Sequence, residues 1–382
     1  MIDALIQDHN ELRDLVRRVA VEKVSKRADA IDAEGEYPQD MFELLRELGL
    51  FTLPFDQKYG GIGSILGACI AIEELGRVCY NTAYLLVVQW VPFGAILAGG
   101  SSEQKDKYLP GLADGSLRGA FSTTESQSGS DVGGIRTRAI PVDGGYKISG
   151  EKIWCANSSV ADFIVVAARV EGISGRGAIN FFIVDRNTEG FSIGSAEKKM
   201  GARGIPSCPL YFDEAFVPTS AMLGEPGKGF QIVMEAFNLS RPIIGARGVG
   251  LSQGAFDHAL AFVKSRQAFG DEVSNFQGVR WMLADMHIQT EAARGLVYKA
   301  AHAADAGVKG KALATQAAVA KCHASDTAMK VAEDAVQLFG AAGISGDYPI
   351  NRYFRDAKVL QIVEGTQQIQ RNIIGRYLVE GF

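Results

Sequence analysis

Apolar positions in the first part of the chain recur at helical spacing: Leu12, Leu15, Val16 and Val19 in one stretch, Leu44, Leu45 and Leu48 in another. The glycine-rich run from Tyr59 to Gly67 interrupts them and predicts a loop leading into a helix that carries Cys69 to Val78. From residue 118 the texture changes. Phe163-Ile164-Val165-Val166, Phe181-Phe182-Ile183-Val184 and Leu210-Tyr211-Phe212 are short β-rich runs separated by Gly, Asp and Asn turn signals. Beyond Gly229 the helical period returns over 229–267, 276–306, 311–340 and 367–379, with loops over 268–275 and 341–350. The pattern predicts an α+β chain in three parts. These are an N-terminal α-helical domain (1–117), a middle antiparallel β-barrel or sandwich (118–225) and a C-terminal four-helix bundle (226–382).

Strands and helices do not alternate, which argues against a doubly wound dinucleotide fold. The cluster Gly245-Ala246-Arg247-Gly248-Val249-Gly250 follows no strand and lacks GxGxxG spacing, so close helix–helix packing is its better reading.

Composition narrows the class. The net charge is −5 with Lys and Arg scattered, which leaves no nucleic-acid footprint. The first eight residues carry acid rather than a basic leader, so no signal or transit segment is expected. The apolar run from Ala83 to Leu97 contains Gln89, Pro92 and Gly94 and reads as too short to span a bilayer. Cysteines 69, 79, 155, 208 and 322 form no CxxC pair, which points to free thiols in a reducing cytoplasm. The five histidines have no close ligand spacing, so no metal site is expected.

Candidate chemistry lies near the C-terminus, in Val363-Glu364-Gly365-Thr366-Gln367-Gln368. Glycine there permits close approach of backbone to a ligand and leaves Glu364 as an exposed base candidate at a helix start. Thr366 serving only as a helix cap is the plainer alternative.

Further motifs join it: Thr124-Glu125-Ser126-Gln127-Ser128-Gly129-Ser130-Asp131, Gly150-Glu151-Lys152-Ile153-Trp154-Cys155-Ala156-Asn157, Arg266-Gln267-Ala268-Phe269-Gly270 with Gln277, Gln337-Leu338-Phe339-Gly340, and Arg355-Asp356-Ala357-Lys358. In this order, and over essentially the whole chain, they resemble the acyl-CoA dehydrogenase family of flavoproteins. The resemblance implies FAD, a homotetramer, an acyl-CoA substrate and an electron-transfer flavoprotein as acceptor. It makes Glu364 the base for the α-proton of an acyl thioester, with hydride leaving to the flavin. It also implies flavin contacts from Thr124, Ser130, Trp154 and Ala156, adenosine-side contacts from Thr366 and Gln368, and a segment contact from Gln337 and Gly340. Arg266, Phe269 and Gln277 are implied to reach the flavin of a neighbouring subunit. Ser130, Phe230, Asn238, Arg241 and Gly365 are implied to line the substrate channel.

The family's minority arrangement places the base near position 240, which here is Ser240, so the base belongs at Glu364. The chain departs from the family pattern at Ser126-Gln127-Ser128-Gly129-Ser130, at Ala156 (commonly a threonine near the flavin) and at Asn238 (often acidic). Those departures leave open a carrier-protein-tethered substrate, or oxidase or desulfinase-type chemistry. Trp90 and Val363 suggest a compact acyl pocket, although core packing explains Trp90 equally well.

Overall fold

The computed structural model describes residues 9–381. The expectation about a leader falls on residues 1–8, outside them. Among the described residues six α-helices come first: α1 (His9–Val19), α2 (Ala28–Glu34), α3 (Gln39–Glu47), α4 (Ile65–Gly76), α5 (Tyr80–Gly99) and α6 (Ser102–Asp114). Ser64 caps α4 by accepting the Gly67 N–H at 2.8 Å. Ser101 and Gln104 form a reciprocal capping box on α6. α4 is buried along its whole length, enclosed by α1, α5 and later helices, and its two glutamates, Glu73 and Glu74, are paired with Arg13, Arg17 and Arg294. α5 corrects the sequence reading. At 20 residues it is long and apolar enough to span a bilayer, yet 72% of its apolar window is buried inside the protein. Trp90 on this helix belongs to the core, its indole N–H donating to the Phe51 carbonyl at 2.9 Å.

The middle of the chain forms a curled seven-stranded sheet: β1 (Gly119–Ser122), β2 (Arg138–Val142), β3 (Gly145–Ala156), β4 (Phe163–Val170), β5 (Ile179–Asp185), β6 (Phe191–Ile193) and β7 (Ser207–Pro218). Its order is β1-β4-β2-β3-β7-β6, with β5 on β4. The expected antiparallel sheet is mixed: β1 and β2 both pair parallel to β4. The segment after β1 and the β2–β3 hairpin provide the long crossover that parallel pairing needs. Residues 163–168 of β4 and 181–184 of β5 are continuous apolar runs because both faces are covered there.

The third part contains α7 (Gly229–Ser265), a small hairpin of β8 (Gln267–Ala268) and β9 (Asp271–Glu272), α8 (Gln277–Asp305), α9 (Gly310–Phe339), α10 (Ile350–Leu360) and α11 (Gln367–Glu380). α10 was not expected from the sequence. The glycine cluster packs helices closely, as read. A Cβ at Gly245 would lie 2.8 Å from Val297 on α8, one at Gly248 2.8 Å from the Ala324 carbonyl on α9, and one at Gly250 2.3 Å from the Glu73 carbonyl on α4.

Candidate active site

α10 stops at Leu360, and the turn to α11 presents Glu364 in left-handed backbone (φ 57°), followed by Gly365 at φ 91°. A non-glycine residue there is strained by about 1–3 kcal/mol and persists only where neighbours over-determine it. Three side chains do so. Lys321 on α9 donates to the Gly365 carbonyl at 2.8 Å and to Gln367 Oε1 at 3.2 Å. Gln370 Nε2 donates to the Glu364 and Gly365 carbonyls at 3.1 and 3.0 Å. Gln367 Nε2 anchors to the Cys322 carbonyl at 2.7 Å. At φ 91° an L side chain would be strained, and a Cβ on Gly365 would also sit 2.7 Å from Gln370 Nε2, so this position favours glycine. Thr366 does cap α11, accepting from the Ile369 N–H at 3.3 Å.

Glu364 is not the exposed carboxylate expected from sequence. It is half-buried, and Ser240 Oγ on α7 donates to its Oε2 at 2.9 Å. Burial raises its pKa, while the Ser240 hydroxyl and the cations of Arg247, Arg241 and Lys321 pull the other way. A carboxylate raised by burial and faced by fixed cations is the setting for a general base. Arg241 is buried, donates to Asn238 Oδ1 at 3.0 Å, and is brought down to about 10 by desolvation. Phe230, Asn238 and Arg241 share one side of α7 by helical spacing, and the Arg176 guanidinium lies 5.4 Å over the half-buried Phe230 ring.

The sheet contributes a second group. Register shifts between β3 and β7 leave Trp154 at φ 61° with its ring 52% exposed, so it is not barrel core. Ile153 N donates to the Thr124 carbonyl at 2.9 Å and ties the Trp154 strand to the Thr124 loop. Beneath that loop Glu125 is buried, accepting from Lys152 Nζ at 2.7 Å and from the Arg136 and Thr137 N–H groups at 2.6 and 3.0 Å. Ser130 is exposed, Ala156 ends β3 half-buried, and Gln368 is exposed at the start of α11.

The remaining predicted residues are not brought to Glu364. Arg266 ends the 37-residue α7, roughly 39 Å along the helix axis from Ser240. The hairpin beyond it exposes Phe269 by 99%, and Gln277 opens α8. Phe262 stacks on Phe339 at 4.2 Å, which brings Gln337 and Gly340 to this same remote end. Within one chain the predicted flavin residues therefore fall into two separated groups. One group presents the exposed Trp154 with polar neighbours, and the other Arg266, the exposed Phe269 and the amides of Gln277 and Gln337. A cavity of about 340 Å³ lined by Arg13, Arg17, Glu73, Glu74, Arg77, Gln253 and Arg294 holds ion pairs and includes none of these residues.

Sequence reasoning missed Lys321, Gln370, Arg247 and the Glu125–Lys152 pair. A lone lysine in the alanine-rich face of α9, and a lone arginine amid tight-packing glycines on α7, were the available signals.

Comparison with known proteins places the chain among oxidoreductases that act on CH–CH bonds. The chain belongs to the acyl-CoA dehydrogenase family, matching its N-terminal domain over residues 6–116, its middle domain over 120–215 and its C-terminal domain over 227–379. A probable acyl-CoA dehydrogenase, fadE25, of Mycobacterium leprae is 39% identical over 98% of this chain and 96% of its own length. Butyryl-CoA dehydrogenase from Megasphaera elsdenii superposes with TM-score 0.93 at 36% identity, covering 97% of this chain and 98% of that one. An FAD complex of PigA superposes with TM-score 0.92 at 26% identity over 98% of each chain. The protein is an FAD-dependent enzyme that dehydrogenates an acyl-CoA thioester.

Proposed function

We propose that Glu364 removes the α-proton of a short or compact acyl-CoA thioester, one Glu364 carboxylate oxygen taking the proton while the thioester carbonyl is held by the residue's own backbone N–H. The observation that carries this reading is the 2.9 Å bond from Ser240 to a carboxylate fixed in strained backbone by Lys321 and Gln370. The clamp presents the base in one orientation, which removes an entropic part of the barrier. FAD, when bound, supplies the acceptor for the β-hydrogen.

In this reading Thr124, Ser130, Trp154, Ala156, Thr366 and Gln368 hold the flavin from their own chain. Arg266, Phe269, Gln277, Gln337 and Gly340 hold it from a second copy, because they lie too far along α7 to meet the first group within one chain. Ser130, Phe230, Asn238, Arg241 and Gly365 line the substrate channel, and the chain divides after residues 117 and 225. Family membership supports a homotetramer, an electron-transfer flavoprotein as acceptor and a cytoplasmic location. Anaerobic titration of the FAD-loaded protein with butyryl-CoA tests the activity: bleaching of the flavin is expected, and an unchanged spectrum with every acyl-CoA tried contradicts it.

A further inference from the structure

We propose that Arg247 is an anion receptor at the inner end of the acyl pocket, and that the preferred acyl group carries a carboxylate at its distal end. This rests on the reading that Glu364 faces the substrate's α-carbon.

Arg247 is completely buried, and among the described residues none of its three side-chain nitrogens has a hydrogen-bond partner. Its guanidinium lies 4.4 Å from the Tyr80 ring centroid and 3.8 Å from that of Tyr84, two residues one turn apart on α5. The rings offset part of the cost of burying a cation but accept none of its in-plane N–H bonds. Arg352, also buried, shows the usual solution, donating to the Val78 carbonyl and to Asp29 at 3.3 and 3.0 Å. Arg247 has no such partner. The hydroxyl of Tyr80 is also buried and has no partner among the described residues.

The position of this orphan fork points to its ligand. Ser240 and Arg247 are seven residues apart on α7, two turns along one face, so their backbones are separated by about 10 Å. Ser240 touches Glu364, which is half-buried, whereas Arg247 is fully enclosed two turns further along the same helix. Glu364 does not itself satisfy the fork. Tyr84, which flanks the guanidinium, is half-buried, and its hydroxyl is held up by burial with Arg247 opposing. An acyl chain entering past Glu364 therefore runs toward a planar set of N–H donors with a phenol beside it. That set matches a carboxylate bidentately, and a methyl terminus would leave it unpaired. The separation suits a short dicarboxylic chain.

The test compares chain-matched thioesters on the FAD-loaded enzyme: glutaryl-CoA against pentanoyl-CoA, and adipyl-CoA against hexanoyl-CoA. The dicarboxylic member of each pair is expected to show about 100-fold higher kcat/KM, the scale of one buried charge pair. Arg247→Gln is expected to abolish that preference. Calorimetric binding of the same pairs to the Glu364→Gln variant gives a readout without turnover, and tighter binding of at least one dicarboxylic thioester is expected there. Equal or weaker binding of both dicarboxylic thioesters overturns the role of Arg247. Failure of both classes to reduce the flavin, with the binding preference intact, overturns the dehydrogenase reading of Glu364 instead.

Discussion

Lys321 Nζ donates to the carbonyl oxygen of Gly365 at 2.8 Å, joining the middle of α9 to the turn that presents Glu364. The ammonium is fully enclosed, and burial depresses its pKa to about 8, with Glu364 opposing that shift. Lys321→Met leaves the Gly365 carbonyl and the Gln367 amide oxygen without this donor, a loss of about 1–3 kcal/mol that removes one restraint on the strained turn. Misplacement of the base by about an ångström costs on the order of 10²-fold. Stopped-flow flavin reduction is expected to slow to that extent while FAD content stays near one per chain. An unchanged reduction rate would remove Lys321 from the positioning of the base.

The pH profile follows from the environment of Glu364. Only the ionised carboxylate accepts a proton, and burial has raised its pKa. The acid limb of flavin reduction is therefore expected above the roughly 4.3 of a free glutamate. Ser240→Ala removes a hydroxyl that favours the charged form, so the limb should move to still higher pH. A raised carboxylate pKa also means that this group's contribution to stability falls as pH rises from the unfolded value through the folded one. A limb that stays put or moves down in Ser240→Ala contradicts the contact.

Glu125 and Lys152 form a fully buried pair under the Thr124 loop. Burial pushes the Glu125 carboxyl up, but Lys152 and the backbone N–H donors outweigh it and hold the group well below the usual range. Its stabilisation is thus present above about pH 4.3 and is lost as pH falls toward its lower folded value. Glu125→Gln strands the Lys152 ammonium and is expected to cost about 3–5 kcal/mol in denaturant unfolding. That variant should also lack the wild type's extra loss of stability in acid. A cost near zero would mean that the pair does not anchor the loop.

The two separated groups predict complementation. Trp154→Ala damages the sheet group and Arg266→Ala the remote one, so each pure variant should retain FAD poorly. Subunits mixed, dissociated and reassembled form some sites with both residues intact. Recovery of FAD retention and flavin reduction above either parent is expected; no recovery means that both residues serve the same chain.

Much of this was legible in the residues. Helical periodicity located α7, α8, α9 and α11 to within a few residues, and α8 and α9 each bury one face over several turns. α10 escaped notice because its 11 residues lie between a glycine-rich loop and the Glu364 turn, and four of them are charged. Parallel pairing of β1 and β2 with β4 depends on long-range topology that local alternation does not encode. Glu364 was found by its neighbours Gly365 and Thr366, but its burial was not, since Ser240 and Lys321 approach from 124 and 43 residues away in sequence. Arg247 stood inside a run correctly read as close packing, and packing explained its glycines without explaining its charge.

Glu364→Gln tests the central claim most directly. The substitution keeps the side chain's size and its approach to Ser240 while removing the proton acceptor. Anaerobic stopped-flow mixing of the FAD-loaded variant with butyryl-CoA is expected to show flavin reduction slowed by at least about 10²–10⁴-fold. Thioester binding should still perturb the flavin spectrum. Reduction at near wild-type rates, with full FAD occupancy, would place the base elsewhere and contradict the account.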